Sequence, residues 1–190
     1  MFVKKVFSAS TYGMPFRTNK SRVMGHGIDI EKFHHDGARA HDLLLTVGRV
    51  TPAKHIRVLL KCMMDLGPNY RLRVAGGPVT AIDNKYLVEL QHDAMKLGIT
   101  PRVEIEPVPH DRVISLLQHA TLFVHASETA LDKALLEAMA CGCPVLSCSS
   151  VAKDLLPPEC LATPESMGAR AQDLLALPVV KREELGRKLR

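Results

Sequence analysis

Short apolar runs that alternate with helical patterns constrain this chain more than any other feature of its sequence. The apolar runs are typical of buried strands at 42–48, 70–75, 102–106, 121–125 and 144–147. Apolar positions recur with helical spacing over 54–65, 83–97, 109–119, 132–141 and 165–177. Strands that alternate with helices of about 10–15 residues form βαβ units around a parallel sheet covered on both faces. The pattern predicts an α/β fold, a Rossmann-like doubly wound parallel sheet whose ligands bind beyond the carboxyl ends of its strands.

Residues 1–40 do not follow this alternation. They are polar and basic, and residues that break helices and strands interrupt them at Gly13, Pro15, Gly25 and Gly27. We interpret 1–40 as a connector segment that lies outside the core, and 41–190 as one Rossmann-like domain. A chain of 190 residues is long enough for one such domain without stabilising cross-links.

The net charge of +5 does not form a basic stripe along the chain. Residues 1–28 hold five basic and no acidic side chains, and residues 181–190 hold five basic and two acidic ones. Residues 29–180 hold 15 basic and 18 acidic side chains. Aromatic residues make up 4% of the chain and tryptophan is absent, so platforms for base stacking are scarce. We therefore expect solvated chain ends and no nucleic-acid partner.

The cysteines and histidines indicate the compartment and the kind of site. Five cysteines without framework spacing favour small apolar side chains in a reducing cytosol. No stretch approaches the ~20 apolar residues of a membrane span, and the N-terminus lacks a signal-peptide core. Nine histidines show no metal-binding spacing, and His125 at a strand end is better explained as packed or solvated than as a ligand contact. We expect a soluble cytoplasmic protein without a metal site.

The first strand end that could carry chemistry is the loop from Gly48 to Lys54. Glycine lets the backbone turn sharply after a buried strand, and Arg49 and Lys54 then place two cations near the next helix. A helix N-terminus already favours anions, so the loop has the composition of a diphosphate clamp. Two solvated cations after an ordinary turn are the alternative interpretation.

The second strand end is Gly76-Gly77-Pro78, where glycines either let a ligand approach the backbone or only form a tight turn. The segment lacks the full glycine-rich dinucleotide fingerprint, so NAD binding is poorly supported.

The third strand end, residues 127–145, is the most informative. A polar loop precedes a helix that opens near Asp132, a residue suited to cap it. Leu135, Leu136 and Met139 are expected to face the sheet. Glu137 lies one and a half turns into the helix, where it either reaches a ligand held above the helix start or is only a surface charge.

These segments together resemble GT-B glycosyltransferases of the family 4, or glycosyl transferases group 1, type. The signature of that family is an acidic residue, seven others, a glutamate and then Ala-Met-Ala-x-Gly-x-Pro-Val. Residues 137–145, Glu-Ala-Met-Ala-Cys-Gly-Cys-Pro-Val, match its second half fully. Gly48-Arg49 with Lys54 matches the family's phosphate-contacting loop, and residues 25–29 followed by Phe33 are similar to the segment that leads into its donor domain.

The resemblance implies a role for each matching residue. Arg49 and Lys54 would be catalytic, because they would hold the donor diphosphate and stabilise it as it leaves. Glu137 would accept hydrogen bonds from ribose hydroxyls, and the strand around Ile105 would flank the base with main-chain contacts. The remaining substrate-binding positions would be Gly48, Gly76, Glu128, Thr129, Ala130 and Leu131. The donor would be a UDP- or GDP-sugar, with no cofactor and no metal.

Two departures from the family pattern matter. The motif's first acidic position is Thr129 here, whereas Glu128 lies one residue too early, so the loop would have to use Glu128, Asp132 or Lys133 to handle the sugar. Only about 40 residues precede the first strand of the alternating pattern, so the resemblance implies that the acceptor-binding domain is missing or is a partner chain.

The function implied by the resemblance is transfer of a sugar from a nucleoside-diphosphate sugar to a hydroxyl acceptor. It would proceed with retention, in saccharide or cell-envelope biosynthesis, and would be weak or absent in the isolated chain. Peripheral membrane association would occur through the missing half. The alternative is a non-catalytic nucleotide-sugar-binding subunit that needs a separate acceptor-domain partner.

Overall fold

The computed structural model describes residues 3–11, 16, 18–35, 37, 39–128 and 131–190. The strands in chain order are β1 (Val6–Ser8), β2 (Ser21–Val23), β3 (Leu43–Val47), β4 (Arg71–Ala75), β5 (Val103–Glu106), β6 (Leu122–His125) and β7 (Val145–Ser147). The last five of them form one sheet in the order β5-β4-β3-β6-β7, in which every neighbouring pair is parallel. The predicted Rossmann-like α/β fold is confirmed.

Helices follow the strands and cover both faces of this sheet. They are α1 (Ile56–Cys62), α2 (Ala81–Lys96), α3 (His110–His119), α4 (Lys133–Ala140), α5 (Met167–Ala176) and α6 (Val179–Leu189). Because successive strand residues point to opposite faces, Leu44 packs in a core cluster with α1, α2 and α5, and Leu45 packs in a second cluster with α3, α4 and α6. In β6, Val124 likewise packs in the first cluster and Phe123 in the second.

The helix boundaries differ from the predicted ones where the backbone turns tightly. Pro52–Lys54 forms a 3-10 turn, and His55 takes a left-handed conformation (φ 48°, ψ 35°), so α1 begins at Ile56. Helix α6 was not predicted, because charged residues dominate its sequence. In α4, Leu135 faces the core as expected, but Leu136 and Met139 are only half-buried and line a surface groove.

The connector segment contributes to the fold. Within it, β1 and β2 pair in parallel, and Phe33 is 3% exposed in the cluster that contains α3 and α4. The expectation that residues 1–40 lie outside the core is therefore wrong for Phe33. Over the described ranges, none of the helices combines the length and the apolar character that a membrane crossing needs.

Candidate functional site

The carboxyl edge of the sheet has a reversal of strand order between β3 and β6. From β3 the chain adds β4 and β5 on one side, and then returns to place β6 and β7 on the other. At such a reversal the two following loops turn away from each other, which leaves a crevice where Rossmann-like domains bind ligands. Here those loops follow Val47 and His125. The first and third strand ends described in the sequence analysis therefore meet at this point.

The turn after β3 depends on glycine. Gly48 has a φ of 137°, a conformation that side chains rarely adopt, and a Cβ there would lie 3.2 Å from Cε of Lys54. The Lys54 side chain therefore folds back over the end of β3. This places the Lys54 ammonium in the crevice and not in the solvent beyond α1.

Gly76 at the end of β4 meets the same turn from the other side. A Cβ on Gly76 would lie 1.8 Å from the Gly48 carbonyl oxygen, so only glycine lets the two strand ends approach this closely. The packing of the chain accounts for this glycine, which favours the tight-turn interpretation over close approach of a ligand.

Arg49 is the more accessible of the two predicted cations. Its side chain is 52% exposed, and its Nε lies 3.8 Å from the Asp83 carboxylate. Asp83 also accepts hydrogen bonds from the backbone N–H groups of Val79 and Thr80 at the start of α2. A hydrogen bond from the Thr51 hydroxyl, followed by these backbone bonds, outweighs burial and lowers the pKa of Asp83 to about 2.

Lys54 differs from the sequence-based expectation, because it is not an open cation. It forms an ion pair with Asp132, and the two side chains are 21% and 11% exposed. Asp132 also caps α4 as predicted, since its carboxylate accepts a hydrogen bond from the Ala134 N–H at 3.3 Å. Burial opposes ionisation of Asp132, but the neighbouring His125 imidazole and the Lys54 ammonium outweigh it and lower the pKa of Asp132 to about 2.

His125 continues this network toward β7. Its ring is 4% exposed, with Nδ1 at 2.9 Å from the Ser147 Oγ and Nε2 at 3.4 Å from the Asp132 carboxylate. It is therefore a packed histidine, as the sequence favoured. The spacing of the sequence does not reveal that His125, Asp132 and Lys54 meet, because they lie on β6, α4 and the loop after β3.

Glu137 is buried, so its interpretation as a surface charge is wrong. It is 6% exposed, and the Lys133 ammonium lies 3.5 Å from its carboxylate, one turn closer to the start of α4. A buried carboxylate with a cation beside it can accept hydrogen bonds from hydroxyl groups.

The loop before α4 carries the other predicted contacts. Glu128 accepts a hydrogen bond from the Ser150 hydroxyl at 3.2 Å, and the Leu131 carbonyl accepts one from His26 Nε2, also at 3.2 Å. Thr129 and Ala130 lie outside the described residues.

Ile105 lies on β5, at the far edge of the sheet from β7. It is opposite Val74 in the register and packs against the core cluster that contains α1 and α2. Its side chain is therefore committed to packing. An edge strand of this kind has main-chain groups available for a ligand, whereas the Ile105 side chain has no free polar group to offer.

The fold and the carboxyl edge of its sheet define the class of protein. The chain is a Rossmann-like α/β domain in which a glycine turn brings Lys54 to the capped start of α4 at the reversal of strand order, with Arg49 on the same loop. Its sequence then identifies the family. Residues 29–152 match the family described as glycosyl transferases group 1, and the chain belongs to that family.

Solved structures of glycosyltransferases are similar to this chain. Anabaena HepE, solved with UDP and glucose, is 18% identical with a TM-score of 0.85; the match covers 99% of this chain and 57% of HepE. The C-terminal domain of the group 1 protein LpcC from Francisella tularensis is 15% identical with a TM-score of 0.74, over 86% of this chain and 96% of that domain. Sucrose-phosphate synthase from Thermosynechococcus elongatus is 21% identical with a TM-score of 0.79, over 90% of this chain and 48% of the synthase.

These likenesses confirm the resemblance to the C-terminal domain of GT-B glycosyltransferases. The chain spans little more than half the length of HepE. A comparison with curated proteins gives no match.

Proposed function

We propose that this chain binds a nucleoside-diphosphate sugar and serves as the donor-binding domain of a glycosyltransferase. The observation that carries the proposal is the ion pair of Lys54 with Asp132 at the start of α4, at the reversal of strand order and on the loop that also bears Arg49, in a member of the group 1 family. HepE, similar in fold, has been solved with UDP and with UDP-glucose. We propose a UDP- or GDP-sugar as the donor, so that the base is uracil or guanine.

The proposed chemistry is transfer of a hexose to a hydroxyl acceptor with retention, as in family 4 enzymes. Negative charge develops on the diphosphate as the glycosidic bond breaks, and Arg49 and Lys54 stabilise it electrostatically. Glu137 orients the ribose, and the loop from Glu128 to Leu131 holds the phosphate and sugar. These groups supply the charge stabilisation themselves, so we propose that no metal or other cofactor takes part.

The proposed setting is the cytoplasm, in saccharide or cell-envelope biosynthesis. All five cysteines are free thiols and buried, which suits a reducing compartment. An acceptor-binding domain, in the same protein or in a partner chain, would complete the cleft and provide any peripheral contact with a membrane.

A second candidate is a non-catalytic subunit that binds the nucleotide sugar and docks onto a separate acceptor-domain chain. The observation that favours it is Thr129 at the motif position where the family has an acidic residue. Co-purification with such a partner, together with donor binding that never leads to transfer in the reconstituted pair, would support this candidate over the enzyme.

A thermal-shift screen tests the donor class. We expect UDP-glucose or GDP-mannose, at millimolar concentration, to raise the melting temperature of the chain, and the other nucleotide to raise it less. A melting temperature that no UDP- or GDP-sugar changes would contradict the proposal.

A further inference from the structure

The Asp132 carboxylate has an unusual set of neighbours for a helix cap. An ammonium (Lys54), a backbone N–H at a helix start (Ala134, 3.3 Å) and an imidazole nitrogen (His125 Nε2, 3.4 Å) all contact it. These are the three kinds of group with which proteins hold phosphate. Two of these groups, the Lys54 ammonium and the Ala134 N–H, are thus already bonded to an anion that belongs to the chain.

A second observation comes from His125. This residue is 4% exposed, and its Nε2 has no hydrogen-bond partner among the described residues although it lies beside the Asp132 carboxylate. A buried polar nitrogen without a partner is uncommon and requires an explanation, which a bound ligand would supply. An anion larger than a carboxylate, held at the same place, could reach this nitrogen.

We propose that the Asp132 carboxylate occupies the position of a donor phosphate, and that the donor binds by displacing it from Lys54. The inference rests on the proposed function and adds a residue that sets donor affinity. Arg49 is paired more loosely, since its side chain is 52% exposed and its partner Asp83 lies 3.8 Å away and also accepts backbone hydrogen bonds at the start of α2. Arg49 therefore makes the first contact, and Lys54 follows once it leaves Asp132.

Removing the Asp132 charge should strengthen nucleotide binding. Lys54 must give up an ion pair before it meets the diphosphate, and the displaced carboxylate then repels the arriving negative charge. Asp132→Asn removes the charge but keeps the shape and the capping amide oxygen, since asparagine caps helices as well as aspartate does. We expect this variant to bind UDP or GDP about tenfold tighter than the wild type. A residue with a merely structural role would weaken binding when it is replaced.

The experiment is isothermal titration of UDP, GDP and inorganic pyrophosphate into the wild type and Asp132→Asn. Asp132→Ser is a second variant that keeps a cap without charge, in case the first folds poorly. Asp93→Asn is the matched control, because Asp93 pairs with Arg57 on the outer face of α1 and α2. Circular dichroism establishes that each variant is folded.

The outcomes separate this inference from the proposed function. Tighter binding in both Asp132 variants, with unchanged binding in Asp93→Asn, supports the inference. Equal or weaker binding in the Asp132 variants, with a wild type that binds, overturns the inference and leaves the donor site standing. If neither the wild type nor a folded variant binds any of the three probes, both the proposed function and this inference fail.

Discussion

At the scale of single residues, the crevice is built around the ion pair between Lys54 and Asp132, whose side chains are 21% and 11% exposed. Gly48, Arg49 and Lys54 lie on one loop, and the structure puts that loop at the crevice. The sequence could not show that Lys54 is paired, because its partner Asp132 is 78 residues away and the contact exists only after β3 and β6 become neighbours. Glu137 was placed correctly on its helix, but its burial depends on the same assembly.

Replacing Arg49 should lower the affinity for the donor nucleotide most directly. We expect Arg49→Ala to weaken UDP or GDP binding by about tenfold or more, because a charge-assisted hydrogen bond to phosphate is lost. Arg71→Ala is the matched control, since Arg71 is an exposed arginine at the amino end of β4 that pairs with Asp42. Isothermal titration checks this, and equal affinities for the two variants would count against the clamp.

The low pKa of Asp132 predicts how stability depends on pH. Its pKa in the folded chain is about 2, below the ordinary 3.8, so the ionised form stabilises the fold above about pH 4. That stabilisation is lost as the pH falls from 4 through 2. We expect Asp132→Asn to be roughly 2 kcal/mol less stable than the wild type at pH 7.

Urea unfolding at a series of pH values measures this difference. The gap between Asp132→Asn and the wild type should narrow as the pH falls below 4, since the wild-type carboxylate then takes up its proton. A gap that stays constant down to pH 2 would show that Asp132 does not stabilise the fold through its charge.

At the scale of elements, the ends of β3 and β4 are joined through two glycines. The Gly48 carbonyl occupies the space that a side chain on Gly76 would need. We expect Gly76→Ala to destabilise the chain by roughly 2–3 kcal/mol, because the two strand ends must move apart. Gly67→Ala is the control, since a Cβ on the exposed Gly67 would meet nothing within 4 Å.

Chemical denaturation of both glycine variants tests this contact. If Gly76→Ala is as stable as Gly67→Ala, the close approach of β3 and β4 is not needed by the fold. If it is destabilised and also loses nucleotide affinity, the turn after β3 is required to present Lys54.

The elements of the sheet could be predicted because their signals are local. Buried parallel strands are continuous apolar runs, and Asp132 at the start of α4 is a capping residue whose preference is intrinsic. The features that the sequence did not predict depend on contacts between distant parts of the chain. Helix α6 is largely polar along its length, and Phe33 of the connector segment enters the core only once it packs against α3 and α4.

At the scale of the whole molecule, the excess of basic residues at the C-terminal end is partly structural. Arg182 is 8% exposed and donates to the Leu175 and Leu177 carbonyl oxygens, so it is not one of the solvated charges that the sequence indicated. By contrast, Lys188 is an exposed cation paired with Glu184. The charges expected to matter for a ligand lie in the crevice.

The isolated chain should bind a donor but transfer it poorly. We propose that the donor groups form one side of a cleft and that the acceptor groups come from another domain or chain. We expect hydrolysis or transfer of UDP-glucose and GDP-mannose by this chain alone to stay near background in a release assay for UDP or GDP. Robust turnover by the chain alone would contradict the need for an acceptor half.

The central claim is that a nucleoside diphosphate binds at the reversal of strand order between β3 and β6. Isothermal titration of UDP and GDP into the wild-type chain, with Lys54→Met titrated in parallel, tests it most directly. The account predicts one site per chain for at least one nucleotide, with millimolar or tighter affinity that Lys54→Met weakens. No binding heat at millimolar nucleotide, or binding that Lys54→Met leaves unchanged, would contradict it.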